Sequence, residues 1–391
     1  MRFLVLGGGI TGTLAAEELR KRRPDADVTI ISEEQHPCYS RVLLPHYLKG
    51  KVPRERVFLK KETWYAEQNI EWITGERAEH LDVRNRFVRL SNGRELPYDA
   101  VLLATGGDVR PLHEDRRGMS YFRTLDDADH LLQLLREVPP TGRAVVYGGG
   151  FIACEYVNLF AHFGVPCTVA HRGPHFWSRV LDAESGALIA KQLAEGGVEV
   201  VPSAAVRGVE GDRHVEALVT DKGRFPCGLL GVGVGIEPDL GWLREAGVEV
   251  GAGIRTNEYL ETNVPGVYAA GDVAEFFDVT VGRPRMAGNW MSAQMQGRAV
   301  AKMITGERAP FRLVSSYATN VLGLEIIFVG DTVREAADQV VAYGSAAEGG
   351  VAQLFVRGGR VVGATLVNRN ADRAAVTKWI GEGAEAAGVK L

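Results

Sequence analysis

Phe3-Leu4-Val5-Leu6-Gly7-Gly8-Gly9-Ile10-Thr11-Gly12 opens this chain, and Ala144-Val145-Val146-Tyr147-Gly148-Gly149-Gly150-Phe151-Ile152-Ala153 repeats its pattern further on. Each is a short apolar run, then Gly-x-Gly-x-x-Gly or Gly-x-Gly-x-x-Ala, then an amphipathic stretch. A turn this tight between strand and helix needs residues without a side chain, so that backbone N–H groups approach a pyrophosphate at the helix N-terminus. One such motif is weak evidence. Two of them, followed by Gly271-Asp272, point to two dinucleotides on one polypeptide and to electron transfer between them.

The flanking residues keep the register of βαβ units. After the first turn, Leu14, Ala15 and Leu19 line one helix face, and Val28-Thr29-Ile30-Ile31 is the second strand. Glu33 lies 21 residues beyond Gly12, the distance at which a strand-end carboxylate accepts the hydroxyls of an adenosine ribose. After the second turn, the strand Cys167-Thr168-Val169-Ala170 ends in His171-Arg172 with no carboxylate. A guanidinium welcomes a 2′-phosphate that an acid would repel, so the pair leans toward NADPH over NADH, unless it is only a solvated turn.

Elsewhere, Tyr98 to Gly106 is an apolar strand ending in a glycine turn, and leucines at 125, 131, 132 and 135 predict a helix over 124–138, stopped by Pro139, Pro140 and Gly142. A helix is expected from Asp182 to Glu195 and another from Met291 to Ile304; Gly231 to Pro238 reads as the crossover back into the first module. Beyond residue 306 the texture turns to short strands, two of them joined at Arg357-Gly358-Gly359-Arg360 as a hairpin, and then a helix near Ala371. The expected class is α/β, with two Rossmann-like nucleotide-binding domains and a small C-terminal α+β domain.

The totals narrow the function. A chain of 391 residues suggests two or three domains. With 45 basic and 49 acidic residues, the formal charge of -4 gives no global attraction to nucleic acid or an anionic membrane. The apolar start Met1 to Leu6 runs into glycine too early for a signal peptide, and there is no spanning stretch. Four cysteines, Cys38, Cys154, Cys167 and Cys227, form no close pair, which implies a reducing, cytoplasmic setting without a disulfide framework or a metal site.

Taken together, Gly7-x-Gly9-x-x-Gly12 with Glu33, Ala104-Thr105-Gly106, Gly148-x-Gly150-x-x-Ala153-x-Glu155 and Ala270-Gly271-Asp272 resemble the FAD-dependent pyridine nucleotide–disulfide reductases, whose fold is glutathione-reductase-like. The resemblance covers about residues 1–305. Tyr39-Ser40-Arg41-Val42-Leu43-Leu44-Pro45 and Asn289-Trp290…Gln296-Gly297 look like the branch of the rubredoxin and ferredoxin reductases and the flavin module of assimilatory nitrite reductase. It implies a discontinuous FAD domain at 1–111 and 231–305, an NAD(P)H domain at 112–230 and an interface domain at 306–391, which in many members helps form a homodimer. It also implies that Asp272 holds the FAD ribitol, that Arg41 lies beside the flavin with Trp290 packing nearby, and that Glu155 stands at the nicotinamide–flavin junction. Hydride would pass from NAD(P)H to FAD and electrons onward to rubredoxin, ferredoxin or a nitrite reductase partner.

One departure matters. Disulfide-reducing relatives carry a CxxxxC pair after the first βαβ unit, and single-cysteine relatives place a thiol where this chain has Val42; Cys38 is out of register. Catalysis then falls to the flavin, with Glu155 and Arg41 as the assisting residues and a peroxide-forming oxidase or a non-catalytic flavoprotein as competing readings. His175 and Trp177 line the nicotinamide entrance or pack at the domain edge; Arg283, Arg285 and Arg298 form a docking surface for an acidic carrier or are solvated charges.

Overall fold

The computed structural model describes residues 1–112, 115–137 and 142–391; Pro139 and Pro140, expected to stop a helix, lie outside them. Two compact units emerge, one of residues 1–42, 54–108 and 237–315, the other of 43–53, 109–236 and 316–391. Among the described residues no helix is long and apolar enough to cross a membrane.

The first unit is built on a parallel sheet in the order Val267–Ala269, Ala100–Leu103, Arg2–Leu6, Asp27–Ser32, Ile70–Thr74. Runs such as Phe3 to Leu6 and Ala100 to Leu103 are buried throughout, because parallel strands are covered on both faces. The helices Ile10–Arg22 and Trp290–Ile304 pack together over one face. Gly297 allows it: a Cβ there would stand 2.3 Å from the Thr11 carbonyl oxygen. The order reverses around Arg2–Leu6, which sends neighbouring connections to opposite faces and opens a crevice at the strand ends.

The second unit repeats the plan, with Glu199–Val201, Cys167–Ala170, Ala144–Tyr147, Leu229–Val232 and Met119–Ser120 parallel in that order. Leu229–Val232 corrects the sequence reading. It is a strand of this second sheet, so the chain leaves the module at about 236 and not at 231. The physical reason is packing: a Cβ on Gly231 would lie 2.9 Å from the ring of Tyr156, which is fully buried and donates to Ser120 O at 2.7 Å. The helix Leu125–Glu137 starts with a reciprocal cap: Asp127 Oδ2 accepts Thr124 N at 2.8 Å, and Thr124 Oγ1 accepts Asp127 N at 3.1 Å.

Residues 316–391 are an antiparallel five-stranded sheet with the helix Arg373–Glu382 against it. The Arg357↔Arg360 hairpin has Gly358 and Gly359 both at positive φ, as its two-residue turn demands. This sheet groups with the second unit. Asn158 Nδ2 donates to Asn320 O and its Oδ1 accepts Leu322 N, each at 2.8 Å, and Gln353 Oε1 accepts Asp182 N at 3.0 Å. The short helix Leu44–Leu48 also belongs here, packing on Leu125–Glu137 with Tyr47 Oη donating to Asp129 Oδ1 at 2.6 Å.

Candidate functional site

In the first unit the opening turn is pinched between strand ends. Gly7 has φ +117°, a Cβ on it would stand 2.2 Å from the Ala104 carbonyl oxygen, and its N–H donates to Ile31 O at 2.8 Å. Gly12 brings the helix down on the turn, with the Gly7 carbonyl oxygen 2.1 Å from where its Cβ would be. Gly9 differs: a Cβ there would meet nothing within 4 Å. The helix begins at Gly9 with no side-chain cap and no acid in its first turn, while Arg20, Lys21 and Arg22 fill its last. Its leading N–H groups and dipole therefore face an open space suited to an anion.

Several residues expected from sequence, Glu33, Thr105 and Gly271 among them, come just after the ends of this sheet's parallel strands. Glu33 directly follows the strand Asp27–Ser32; it is exposed and 3.4 Å from Arg77 Nη1. Arg41 Nη2 donates to Glu34 Oε1 at 2.8 Å, and Tyr39 Oη donates to the other oxygen of that carboxylate. Burial works against the Arg41 charge, but Tyr39, Glu34 and Asp272 hold its guanidinium above the ordinary value. Its Nη1 is buried with no hydrogen-bond partner among the described residues, and an orphaned cationic donor calls for an anionic oxygen. Thr105 and Gly106, with φ +71°, follow the strand Ala100–Leu103. Gly271 has φ +82° against Thr11, and Gln296 Oε1 accepts its N–H at 2.8 Å. Trp290 starts its helix behind Asn289, whose Oδ1 accepts Ser292 N at 3.0 Å. An open glycine, an uncapped helix and one buried guanidinium nitrogen without a hydrogen-bond partner fit FAD.

The second unit has the matching turn. Gly148, at φ +149°, faces Gly233 O at 2.3 Å from its Cβ position, as Gly7 faces Ala104. Gly233 is thus the second-unit counterpart of Ala104, a position the sequence reading missed; the apolar run Leu229 to Val232 ending in glycine was the available signal. Gly150 starts the uncapped helix Phe151–Phe163, on which Ala153 is fully buried. Glu155, on the same helix, is half-buried; burial pushes its carboxyl up and Lys49 partly opposes the rise. Lys49 follows the helix Leu44–Leu48, and nothing in the sequence announced its influence on that carboxyl.

His171 departs from expectation. It is 3 % exposed, its Nδ1 lies 2.9 Å from Gly173 O, and its ring backs the turn at Gly149. Burial lowers its pKa, so it is a neutral wall and not a cation. Arg172 alone is exposed at that strand end. Arg285 is likewise no docking residue: it is buried, with Nε 3.1 Å from Asp278 Oδ2 and Nη2 donating to Ser315 Oγ at 3.1 Å. Arg298 lies on the Trp290–Ile304 helix, where its charge acts on Glu17.

All four cysteines are buried and unpaired. Burial pushes the thiols of Cys38, Cys167 and Cys227 up to about 11, and that of Cys154 well above its ordinary value. None is a thiolate at neutral pH. Cys38→Ser is therefore expected to keep activity within about twofold, as for an inert packing residue; a tenfold loss in steady-state turnover would restore a thiol role. Among the described residues no cluster of three or more His, Cys, Asp or Glu is placed to hold a metal.

The family model described as pyridine nucleotide-disulphide oxidoreductase matches residues 1–297. A biphenyl dioxygenase system ferredoxin–NAD(+) reductase component of Paraburkholderia xenovorans is 30% identical over 383 residues, covering 96% of this chain and 92% of its own. A nitrite reductase [NAD(P)H] of Bacillus subtilis is 29% identical over 93% of this chain, but the chain spans only 45% of that protein's length. Among solved structures, a covalent putidaredoxin reductase–putidaredoxin complex aligns with a TM-score of 0.90 at 26% identity, covering 98% of this chain and 93% of that one.

Proposed function

We propose, for a chain that belongs to the pyridine nucleotide-disulphide oxidoreductase family, that it is an FAD-dependent NAD(P)H oxidoreductase delivering electrons to a separate small redox protein of the ferredoxin, rubredoxin or putidaredoxin kind. The observation that carries this reading is the state of the cysteines. A disulfide relay needs paired thiols that ionise, and here all four are buried, unpaired and protonated. Electrons then pass from cofactor to acceptor without a thiol station. FAD, when bound, supplies hydride acceptance and the release of single electrons.

The chain's residues bind and orient. Gly7, Gly9, Gly12, Ala104, Thr105, Gly106, Gly271 and Asp272 shape the FAD cradle; Glu33 accepts ribose hydroxyls and the free Nη1 of Arg41 meets an anionic oxygen. Gly148, Gly150 and Ala153 shape the turn for the nicotinamide dinucleotide, with Glu155 as the assisting carboxylate. Four unpaired cysteines suit a reducing cytoplasm. The nitrite reductase similarity favours one further recipient, a nitrite-reducing partner.

Anaerobic stopped-flow with NADH and NADPH tests the proposal, followed by oxidised ferredoxin, rubredoxin and putidaredoxin, and by oxygen. Flavin bleaching by a nicotinamide and carrier reduction faster than oxygen consumption are expected. Flavin that stays oxidised with both donors rejects the reading; oxygen outrunning every carrier replaces it with an oxidase.

Donor choice rests on Arg172, since His171 is neutral. A charge-assisted contact to a 2′-phosphate contributes about 1.5–3 kcal/mol. Arg172→Ala is therefore expected to lower kcat/KM for NADPH by about tenfold or more and to leave NADH nearly unchanged. Equal changes with both donors would remove the lean toward NADPH.

A further inference from the structure

The two glycine turns are built alike but are not faced alike. A Cβ on Gly9 would meet nothing within 4 Å, whereas one on Gly150 would stand 3.6 Å from Nε1 and 3.9 Å from Cε2 of Trp177. The middle glycine of such a turn is the one whose bare face lets a pyrophosphate approach the backbone. In the second unit an indole stands over that face.

Its backbone is fixed there. The Trp177 N–H donates to Gly149 O at 2.8 Å, and the N–H groups of Val180 and Leu181 return to Trp177 O at 2.7 and 2.9 Å. Trp177 itself has φ +46°, a left-handed conformation that costs a non-glycine residue about 1–2 kcal/mol and persists only where the surroundings impose it. The ring is held edge-on to Phe151 at 5.2 Å and tilted on Phe328 at 5.4 Å, while the residue as a whole is half-buried. A tethered backbone on a half-buried residue leaves side-chain rotation as the way to uncover Gly150.

We propose that Trp177 is a side-chain gate on the nicotinamide dinucleotide site: a pyrophosphate settling over Gly150 displaces the indole, which turns about its own side-chain bonds while the loop stays tied to the turn. The proposal rests on reading the second turn as that site. Dinucleotide affinity is then reduced by the fraction of molecules in which the indole covers the glycine. Phe151 and Phe328, which grip the covering position, set that fraction.

The test uses the FAD-loaded full chain with NAD+ and NADP+, which do not reduce the flavin. Binding is measured by equilibrium dialysis and, separately, by indole emission. Wild type is expected to show a saturable emission change that Trp177→Phe lacks although it still binds. Trp177→Gly removes the indole and accepts a left-handed φ without strain; it is expected to bind about three- to tenfold tighter. Should that variant not fold, Trp177→Leu carries the affinity measurement. Unchanged or weaker binding in the variant that folds overturns the gate, as does an undiminished emission change in Trp177→Phe; in either case the dinucleotide site itself stands. If dialysis finds neither nucleotide on wild type or variants, the reading of the second turn fails and the gate with it.

Discussion

Gly9→Ala is expected to give a folded protein of ordinary thermal stability that holds no FAD. The position has φ -69°, which alanine adopts freely, and an added Cβ would touch no protein atom within 4 Å. The fold has no reason to object. The methyl group projects instead into the space that the uncapped helix N-terminus faces, and it keeps phosphate oxygens away from the backbone N–H groups. Losing two charge-assisted hydrogen bonds at about 1.5–3 kcal/mol each lowers affinity by at least about 100-fold.

Gly12→Ala should behave differently. Its Cβ would collide with the Gly7 carbonyl oxygen at 2.1 Å and with Val5 Cγ1 at 2.8 Å, so the helix must lift from the turn. Overpacking of that kind costs about 1–3 kcal/mol, and both thermal midpoint and flavin content should fall. Flavin absorbance per protein and a melting curve, taken on both variants, separate the two effects. Flavin at wild-type stoichiometry in Gly9→Ala would mean that the pyrophosphate does not lie over this turn.

The contrast between these two glycines also marks how far sequence reasoning reaches. Both turns were legible because a strand, a bare turn and a helix are local events, and Gly7 or Gly148 at positive φ leaves its own imprint on residue type. The helices at 125–137 and 183–195 were legible for the same reason, from leucine spacing and capping residues. What escaped was set by contacts between distant residues. The expected module boundary at 231 cuts through the strand Leu229–Val232, because a short apolar run fits any parallel sheet, and only its pairing with Ala144–Tyr147 decides which. The inward turn of His171 depends on Gly149 and Gly173, and the burial of Arg285 on Asp278. A cation in sequence does not say whether its partner is solvent, substrate or a carboxylate beside it.

Glu155→Gln is expected to slow flavin reduction by NAD(P)H about 10- to 100-fold at saturating donor, leaving FAD content unchanged. When a dihydronicotinamide gives up hydride, positive charge develops on its ring, and an ionised carboxylate fixed nearby favours that charge more in the transition state than in the ground state. Glu155 lies five residues beyond Gly150 on the helix that the second turn opens, and glutamine keeps its shape without its charge. Burial raises its carboxyl above the ordinary 4.5, with Lys49 opposing. The rate in wild type should therefore climb as pH rises through that raised value, and the glutamine variant should be slow and flat over the same window.

Stability must run the other way. Because the native state holds this proton more tightly than the unfolded chain, the contribution of Glu155 to stability is fully present below 4.5 and is lost as pH rises through the raised native value. Glutamine abolishes the loss, so the variant should gain stability relative to wild type above that window and not below it. A single ionisation thus predicts two pH profiles of opposite slope, both abolished by one substitution. A structural role alone would move the melting curve and leave the shape of the rate profile intact; wild-type rates in Glu155→Gln, or the same climb with pH, would take the carboxylate out of the reaction.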